Sequence, residues 1–343
     1  MPNKKVTIYD IAKEAGISAS QVSRAISGNG YVSDENKSKI MELVEKYNYR
    51  PSAVARNLKK GRSNSVGFLL PHVYQEYFPY LYQRFEEEMT ANGYVTIVCN
   101  GRSWSGHEIR NLQMLEEMQV DAVVIIGGTL DQINWEEYPD FIQAVRNISE
   151  KIPCVLGSDR AADLGCCGVY VDAAACVEEL VAHLAEQGYR KMGILGGLSS
   201  VYPSEQLKWY MREAAAEYGM ELRPQWQINS SYNSMDGAEA MKKLLQQEEL
   251  PEAVCCINDE VAVGAMGVAL DAGLRIPKDI AFTGYDGVWL GREFRPRLTT
   301  IQIDFNTMGH RLVEAVLGAI NGSREQTVIP IAPWLEIRES TRA

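Results

Sequence analysis

From Ser65 onward the chain alternates short apolar runs with amphipathic stretches, and that alternation leaves few folds open. Strand-like runs fall at 66–70, 94–99, 122–126, 154–157, 169–171, 192–195, 253–257 and 281–283. Helical spacing of apolar residues occupies 80–91, 108–118, 174–187, 206–218, 235–246 and 261–272 between them. Short strands this apolar need cover on both faces, which crossover helices of a parallel sheet supply. The number of such units exceeds one compact sheet, so the pattern predicts two α/β subdomains with a break near residues 159–168. Ligands in such sheets bind at the carboxyl ends of the strands, and a cleft between two sheets combines both sets of ends.

The first sixty residues follow a different pattern. In TIYDIAKEAGISASQVSRAI, residues 7–26, two helix starts stand close together, Thr7 with Asp10 and Ser18 with Gln21. Each is a short polar residue followed three positions later by a side chain able to reach back to the backbone. The spacing predicts helices over 8–15 and 19–27, with Ile8, Ile11, Ala12, Ala15, Val22 and Ile26 on one face. The other face of the second helix shows Ala19, Ser20, Gln21, Ser23 and Arg24. Such a surface suits the base edges of a DNA major groove, although an ordinary helical hairpin remains open from these residues alone.

Asn29 lies in a glycine-flanked link, after which Ser33 caps a third helix with Asp34 and Glu35 at its positive end. Its apolar positions Ile40, Leu43, Val44 and Tyr47 are expected to close a three-helix core. Pro51 ends that helix and opens a short segment, 51–58, marginal as an isolated helix in water. The segment either folds against a twin or DNA, or is a plain linker.

Net charge divides the chain at the same place. Residues 1–62 hold twelve Lys or Arg against six Asp or Glu, a net of +6, while the other 22 basic and 39 acidic residues leave −17. A basic head on an acidic body fits a phosphate-binding module joined to a separate control domain. The N-terminus MPNKKVTIYD has no apolar signal segment and no run reaches membrane-spanning length, so a cytoplasmic location is expected. Seven cysteines, two pairs of them adjacent and none in CxxC spacing, suit neither a zinc site nor a disulfide framework, and reduced buried thiols are expected. No cofactor, metal site or catalytic motif is expected, and the four histidines are scattered, so the chain does not read as an enzyme.

Several separated segments resemble the LacI/GalR family of transcription regulators, in order and over essentially the full length. They are TIYDIAKEAGISASQVSRAISG, YNYRPSAVARNLKKGRS, DAVVII, IPCVLGSDR, CCINDEVAVGAMGVALDAGLRIPKDIAFTGYDG, RPRLTTI and LEIREST. The resemblance implies an N-terminal all-α helix-turn-helix DNA-binding domain (1–50) and a hinge helix and linker (51–62). A two-subdomain α/β effector domain of the periplasmic-binding-protein type I, Rossmann-like fold follows (63–343). Its N-subdomain is expected over about 63–160 and 303–330, and its C-subdomain over about 161–302 and 331–343. It further implies a homodimer reading a pseudo-palindromic double-stranded operator, most simply a repressor under allosteric control. An activator or a protein-corepressor-dependent regulator of the same fold is the alternative, with a sugar-binding transport protein further off. No leucine heptad follows the last strand, so a dimer is expected in preference to a coiled-coil tetramer.

By the same resemblance, Ala19, Ser20 and Gln21, with Ser23 and Arg24 alongside, fall where bases are read, and Thr7, Ser18, Asn29 and Tyr49 join the DNA-facing set. Gln21 either reads adenine through its amide or is spent on the capping box of Ser18. Ala55, Leu58 and Lys59 match the hinge, with Leu58 at the position that wedges into the central base step from the minor groove.

For the effector, Asp159, Arg160, Tyr232, Asn258, Asp286 and Phe305 match cleft positions of the family, and Asn258 with Asp259 also suits a helix cap. Where relatives carry an effector-gripping arginine and a glycine, this chain has Gln206 and Trp209, and Ile303 stands at a common glutamine. Loss of a fixed cation argues against an anionic effector unless Lys208 or Arg160 compensates, so a neutral sugar or oligosaccharide is expected. His72, Tyr74, Tyr77, Phe78 and Trp104 are further wall candidates.

Overall fold

The computed structural model describes residues 6–28, 30–49, 62–102, 104–323 and 325–342, and the chain divides into two compact units between Ser63 and Asn64. Within the small unit, α1 (Ile8–Ala15), α2 (Ala19–Ser27) and α3 (Asp34–Lys46) each contribute one fully buried side chain, Ile11, Val22 and Ile40, to a shared core. Burying an aliphatic chain of this size stabilises by about 1.5–3 kcal/mol, so three converging ones are a large share of so small a core. Both capping boxes form. Asp10 and Gln21 backbone N–H groups each donate to the side chain of Thr7 and Ser18 at 3.3 Å, and the Thr7 and Ser18 N–H groups donate back at 2.8 and 3.3 Å. Two expectations change here. Ser33 occupies the cap position of α3 but its side chain makes no cap hydrogen bond. Tyr47 stays outside the apolar cluster because its hydroxyl donates to Glu14 Oε2 at 2.6 Å, tying α3 to α1 beside the Lys46–Glu14 ion pair at 2.8 Å.

The large unit holds two six-stranded sheets. First come β1 (Ser65–Leu70), α4 (Tyr77–Ala91), β2 (Val95–Asn100), α5 (Ser105–Glu117), β3 (Ala122–Ile125), α6 (Pro139–Ser149), β4 (Cys154–Leu156) and β5 (Cys167–Val171). Then follow α7 (Ala174–Glu186), β6 (Met192–Leu195), α8 (Tyr202–Glu217), β7 (Gln227–Ile228), α9 (Ser234–Leu244), β8 (Ala253–Cys256) and α10 (Asp259–Asp271). The chain ends with β9 (Ala281–Asp286), α11 (Trp289–Glu293), β10 (Thr299–Gln302), α12 (Phe305–Ile320), β11 (Val328–Ile331) and β12 (Trp334–Glu336). The first sheet runs β11-β5-β4-β3-β1-β2 and the second β12-β10-β9-β8-β6-β7, parallel throughout except where β12 pairs antiparallel with β10.

The period of two explains why both faces of the first sheet are covered. Val66, Phe68 and Leu70 join one apolar cluster with Ala122, Val124 and Val155, whereas Leu69 joins another with Val123, Ile125 and Leu156. The chain crosses between lobes after β5, after β10 and after β11. The first crossing differs from the expected break at 159–168. Residues 161–164 form a short turn whose Ala161 and Leu164 are buried, and it returns the chain to pair β5 beside β4. The last residues are stitched into the second lobe by buried hydroxyls, Ser340 Oγ donating to Phe282 O at 2.6 Å and Thr341 Oγ1 lying 2.9 Å from His183 Nε2. All seven cysteines are free and six are buried, with Cys167 half-buried. Among the described residues no helix is long and apolar enough to cross a membrane, and no cluster suited to a metal ion occurs.

Candidate functional site

A cavity of about 350 Å³ lies between the two sheets of the large unit, where carboxyl ends of strands from both converge. From the first lobe come Ile126 and Gly127 after β3, Asp159 after β4, and Tyr170 and Val171 closing β5; from the second come Asn258 after β8, Asp286 closing β9 and Ile303 after β10. Tyr77, Phe78, Tyr202, Tyr210, Tyr232 and Tyr285 add aromatic wall. The size and the mix of apolar surface with a few polar groups suit a small ligand.

Asp286 is the most constrained polar group. Its backbone takes φ 99°, a left-handed geometry that costs a non-glycine residue on the order of 1–3 kcal/mol. Asp259, wholly buried behind it, fixes the turn: Thr300 Oγ1 donates to Oδ1 at 2.6 Å and Val288 N–H to Oδ2 at 2.8 Å. Burial pushes the Asp259 carboxyl up to about 7 in spite of these donors. Gly287 follows at φ 73°, and a Cβ there would collide with the Gln302 side chain, so the turn needs glycine twice over. Asp286 itself is 9 % exposed, and among the described residues its carboxylate has no hydrogen bond. Burial, then the charges of Asp259 and Glu260, hold it well above the ordinary carboxylate range.

Asp131 faces the cavity from the first lobe. It ends the turn Gly128–Asp131, which the buried Glu108 carboxylate pins by accepting the Thr129 N–H at 3.2 Å. Gly128 adopts φ 72° with its Cβ position filled by that carboxylate. Asp131 is half-buried and opens to the cavity. Burial first, then Glu108 and Asp159, push its carboxyl up to about 7 against the pull of Arg160.

The lobes meet along the rim of the cavity. Tyr202 Oη donates to Asp159 Oδ2 at 3.3 Å, Ile133 N–H to Ser200 O at 2.9 Å, and Glu76 N–H to Glu260 Oε1 at 2.9 Å. Burial raises the Glu260 carboxyl, and the Glu76 N–H works the other way.

Of the residues named from sequence, His72, Phe78, Asp159, Gln206, Tyr232, Asn258 and Asp286 line the cavity, as do Tyr77 and Ile303. Asn258 also serves its structural alternative, since Oδ1 accepts the Val261 N–H at 2.9 Å and Nδ2 donates to Tyr232 O at 2.9 Å. Phe305 sits elsewhere: it is 7 % exposed and packs against Tyr77 and Tyr80 in the first-lobe core. Tyr74, Trp104 and Trp209 are exposed side chains that do not line the cavity, Trp104 meeting His107 edge-on. Arg160 lies beside the cavity, its guanidinium 3.8 Å over the Trp135 ring and donating to Gln132 O at 3.0 Å. Lys208 is buried and donates to Gly197 O, Glu205 and Asn229 at 2.8–3.0 Å, so it braces the second lobe. Sequence reasoning passed over Asp131, Glu260, Tyr170, Tyr202, Tyr210 and Tyr285; the Gly-Gly pair after the apolar run at 122–126 was the available sign for Asp131.

In the small unit, Thr7, Ser18, Ser20 and Arg24 are exposed, while Ala19, Gln21, Ser23 and Tyr49 are half-buried. Ala19 and Tyr49 pack against the three-helix core. Gln21 Oε1 accepts from Ser18 N–H and Oγ at 3.3 and 3.2 Å, and Arg24 Nε donates to Ser20 O at 3.3 Å. Asn29, Ala55, Leu58 and Lys59 lie outside the described residues.

The sequence matches two family models, "Bacterial regulatory proteins, lacI family" over residues 7–52 and "Periplasmic binding protein-like domain" over 181–341. It is 31% identical to the HTH-type transcriptional repressor PurR of Pasteurella multocida, covering 98% of this chain and 99% of that protein. It is 29% identical to catabolite control protein A of Staphylococcus xylosus, over 95% and 96% of the two chains. The fold superposes on the lac repressor dimer bound to operator and the anti-inducer ONPF with a TM-score of 0.88 at 23% identity, covering 99% of this chain and all of that one. A CelR–cellobiose complex gives 0.71 at 20% identity, covering 98% and 99%. With a relative this similar along almost the whole length, the chain belongs to the lacI family of bacterial regulatory proteins, DNA-binding transcription regulators with a ligand-binding effector domain.

Proposed function

We propose that the chain is a cytoplasmic homodimeric repressor whose grip on a pseudo-palindromic operator is set by a sugar-class effector bound between the two lobes. The observation that supports it most is the cavity, in which strand ends of two sheets meet across a rim of inter-lobe hydrogen bonds. A ligand that prefers one lobe spacing shifts the balance of closure, and differential affinity for the two states is what such control requires. Carboxylates, amides and tyrosine rings suit a polyhydroxylated ligand, and no Lys or Arg among the described lining residues would hold an anionic one. In this reading Ala55, Leu58 and Lys59 couple the lobes to the DNA, with Leu58 inserted in the minor groove; that assignment rests on the family resemblance. The names of the PurR relatives favour repression, and the dimer seen for the lac repressor favours two heads on one operator. The head uses Arg24, Ser20 and Ser23 as its DNA-facing groups, and nothing in the proposal requires catalysis.

Selection of a random duplex library by the full chain tests the DNA-reading half. The reading expects enrichment of one inverted repeat; enrichment of a single half-site, or of nothing, overturns it.

A further inference from the structure

We propose that the effector carries a basic nitrogen beside its hydroxyl groups, so that the cleft takes an amino sugar in preference to an unsubstituted one. The proposal rests on the sugar-class reading and adds the charge of the ligand to it.

Four carboxyl groups line the cavity, Asp131 and Asp159 from the first lobe and Glu260 and Asp286 from the second. No Lys or Arg lines it among the described residues, and Arg160 and Lys208 are committed elsewhere. Arg160 lies over Trp135 and donates to Gln132 O, and Lys208 holds Gly197, Glu205 and Asn229. His72 is held toward its neutral form by burial. Among the described lining residues no Lys or Arg offsets the charge these carboxyls take on when they ionise, and burial accordingly raises Asp131, Glu260 and Asp286 above the ordinary carboxylate range.

Two of the four groups also lack donors. Asp286, nine-tenths buried, and Asp131 make no side-chain hydrogen bond among the described residues, whereas Asp159 receives Tyr202 and Glu260 receives the Glu76 N–H. A buried carboxylate without donor or counter-charge is costly. A sugar hydroxyl brings one donor and no charge; an ammonium brings three donors and the missing cation. Tyr77, Tyr232 and Tyr285 line the same cavity, and aromatic rings near a cation attract it more than a neutral group. An ammonium placed at either carboxyl supplies the donor that it lacks and the positive charge that lets it ionise.

The test is calorimetric titration of the full chain with three matched ligands: glucosamine, glucose and N-acetylglucosamine, and the same triplet in the galactose series. The amino member is expected to bind tighter than both neutral partners by about tenfold or more, the scale of one charged hydrogen bond. At least one of Asp286→Asn and Asp131→Asn, each verified as folded by an unchanged near-UV spectrum, is expected to abolish that preference, the amino member losing more affinity than the neutral ones. Equal or tighter binding of the neutral members overturns the inference and leaves the sugar-class reading standing. Absence of binding by all six overturns both. An amine preference that persists in both variants places the nitrogen elsewhere and overturns the assignment to these two carboxylates.

Discussion

The Tyr202 hydroxyl reaches across the cleft to donate to Asp159 Oδ2 at 3.3 Å while accepting from Gln206 Nε2 at 3.1 Å, so one side chain of the second lobe holds a strand end of the first. Tyr202→Phe keeps the ring against the cavity and removes the inter-lobe link together with the Gln206 bond within the second lobe. A single such bond is worth about 0.5–1.5 kcal/mol, which corresponds to a roughly two- to tenfold loss of effector affinity. Small-angle scattering of the ligand-free variant should show a larger radius of gyration; unchanged scattering and affinity together would remove Tyr202 from the closure contact.

Asp131 gives the large unit a pH signature with a definite sign. Its folded value of about 7 lies above the ordinary 3.8, so the folded state holds more protons than the unfolded state between those values. Its contribution is full below the lower value and is lost as pH rises through the upper one. Asp259, also pushed up to about 7, acts in the same direction. Comparing ligand-free melting temperatures of the wild type and Asp131→Asn from about pH 4.5 to 7.5 isolates this group. The variant should gain on the wild type as pH rises, and a constant offset across the range counts against the assignment.

Gly287→Ala tests the strained turn that presents Asp286. The substitution adds a Cβ at φ 73° directly against Gln302, so both strain and collision oppose it. A loss of roughly 2 kcal/mol or more in denaturant unfolding is expected, together with weakened effector binding. A variant as stable as the wild type would show that the turn has room that its geometry denies.

Ser18 and Gln21 separate folding from base reading in the head. Ser18→Ala removes an N-cap and should cost the small unit about 1 kcal/mol by thermal melt of residues 1–62. Because Gln21 Oε1 already accepts from Ser18, Gln21→Ala is expected to lower head stability and leave base preference in a library selection unchanged. A changed preference at one position of the half-site would instead make Gln21 a base reader.

Helices α1 and α2 of the head were legible to the residue, because each combines a capping pair with a 3.6-residue apolar period and so signals start and face together. The same local logic failed at Ser33, where the residue type is right but no hydrogen bond forms. In the large unit, strands covered on both faces were legible as apolar runs, whereas β7, β11 and β12 are sheet edges with partly exposed residues and β10 reads Thr-Thr-Ile-Gln, so none of them shows a continuous apolar run. Helices α6 and α12 were passed over as well, and with α12 went the reason for Phe305: it opens that helix and packs inward onto α4. The first lobe crossing was misplaced because a polar stretch looks the same whether it links two domains or turns back into one sheet, and only the pairing of β5 with β4 decides between them. Cleft residues at strand ends after recognisable motifs, such as Asp159 and Asp286, were legible; Asp131 and Tyr202 were not, because what makes them cleft residues is the approach of the other lobe. Exposed aromatics misled in the opposite direction, since Tyr74, Trp104 and Trp209 share the composition of a sugar-binding wall without its position.

The central claim is that occupancy of the cleft controls the DNA-binding head. The direct measurement is the affinity of the full chain for its selected duplex, by fluorescence anisotropy, with and without a saturating cleft ligand, in the wild type and in Asp286→Asn. A shift of about tenfold or more in the wild type, the usual scale of allosteric coupling, with the same shift lost in the variant, is the predicted result. Duplex affinity that stays constant while calorimetry shows the cleft filled would contradict the account.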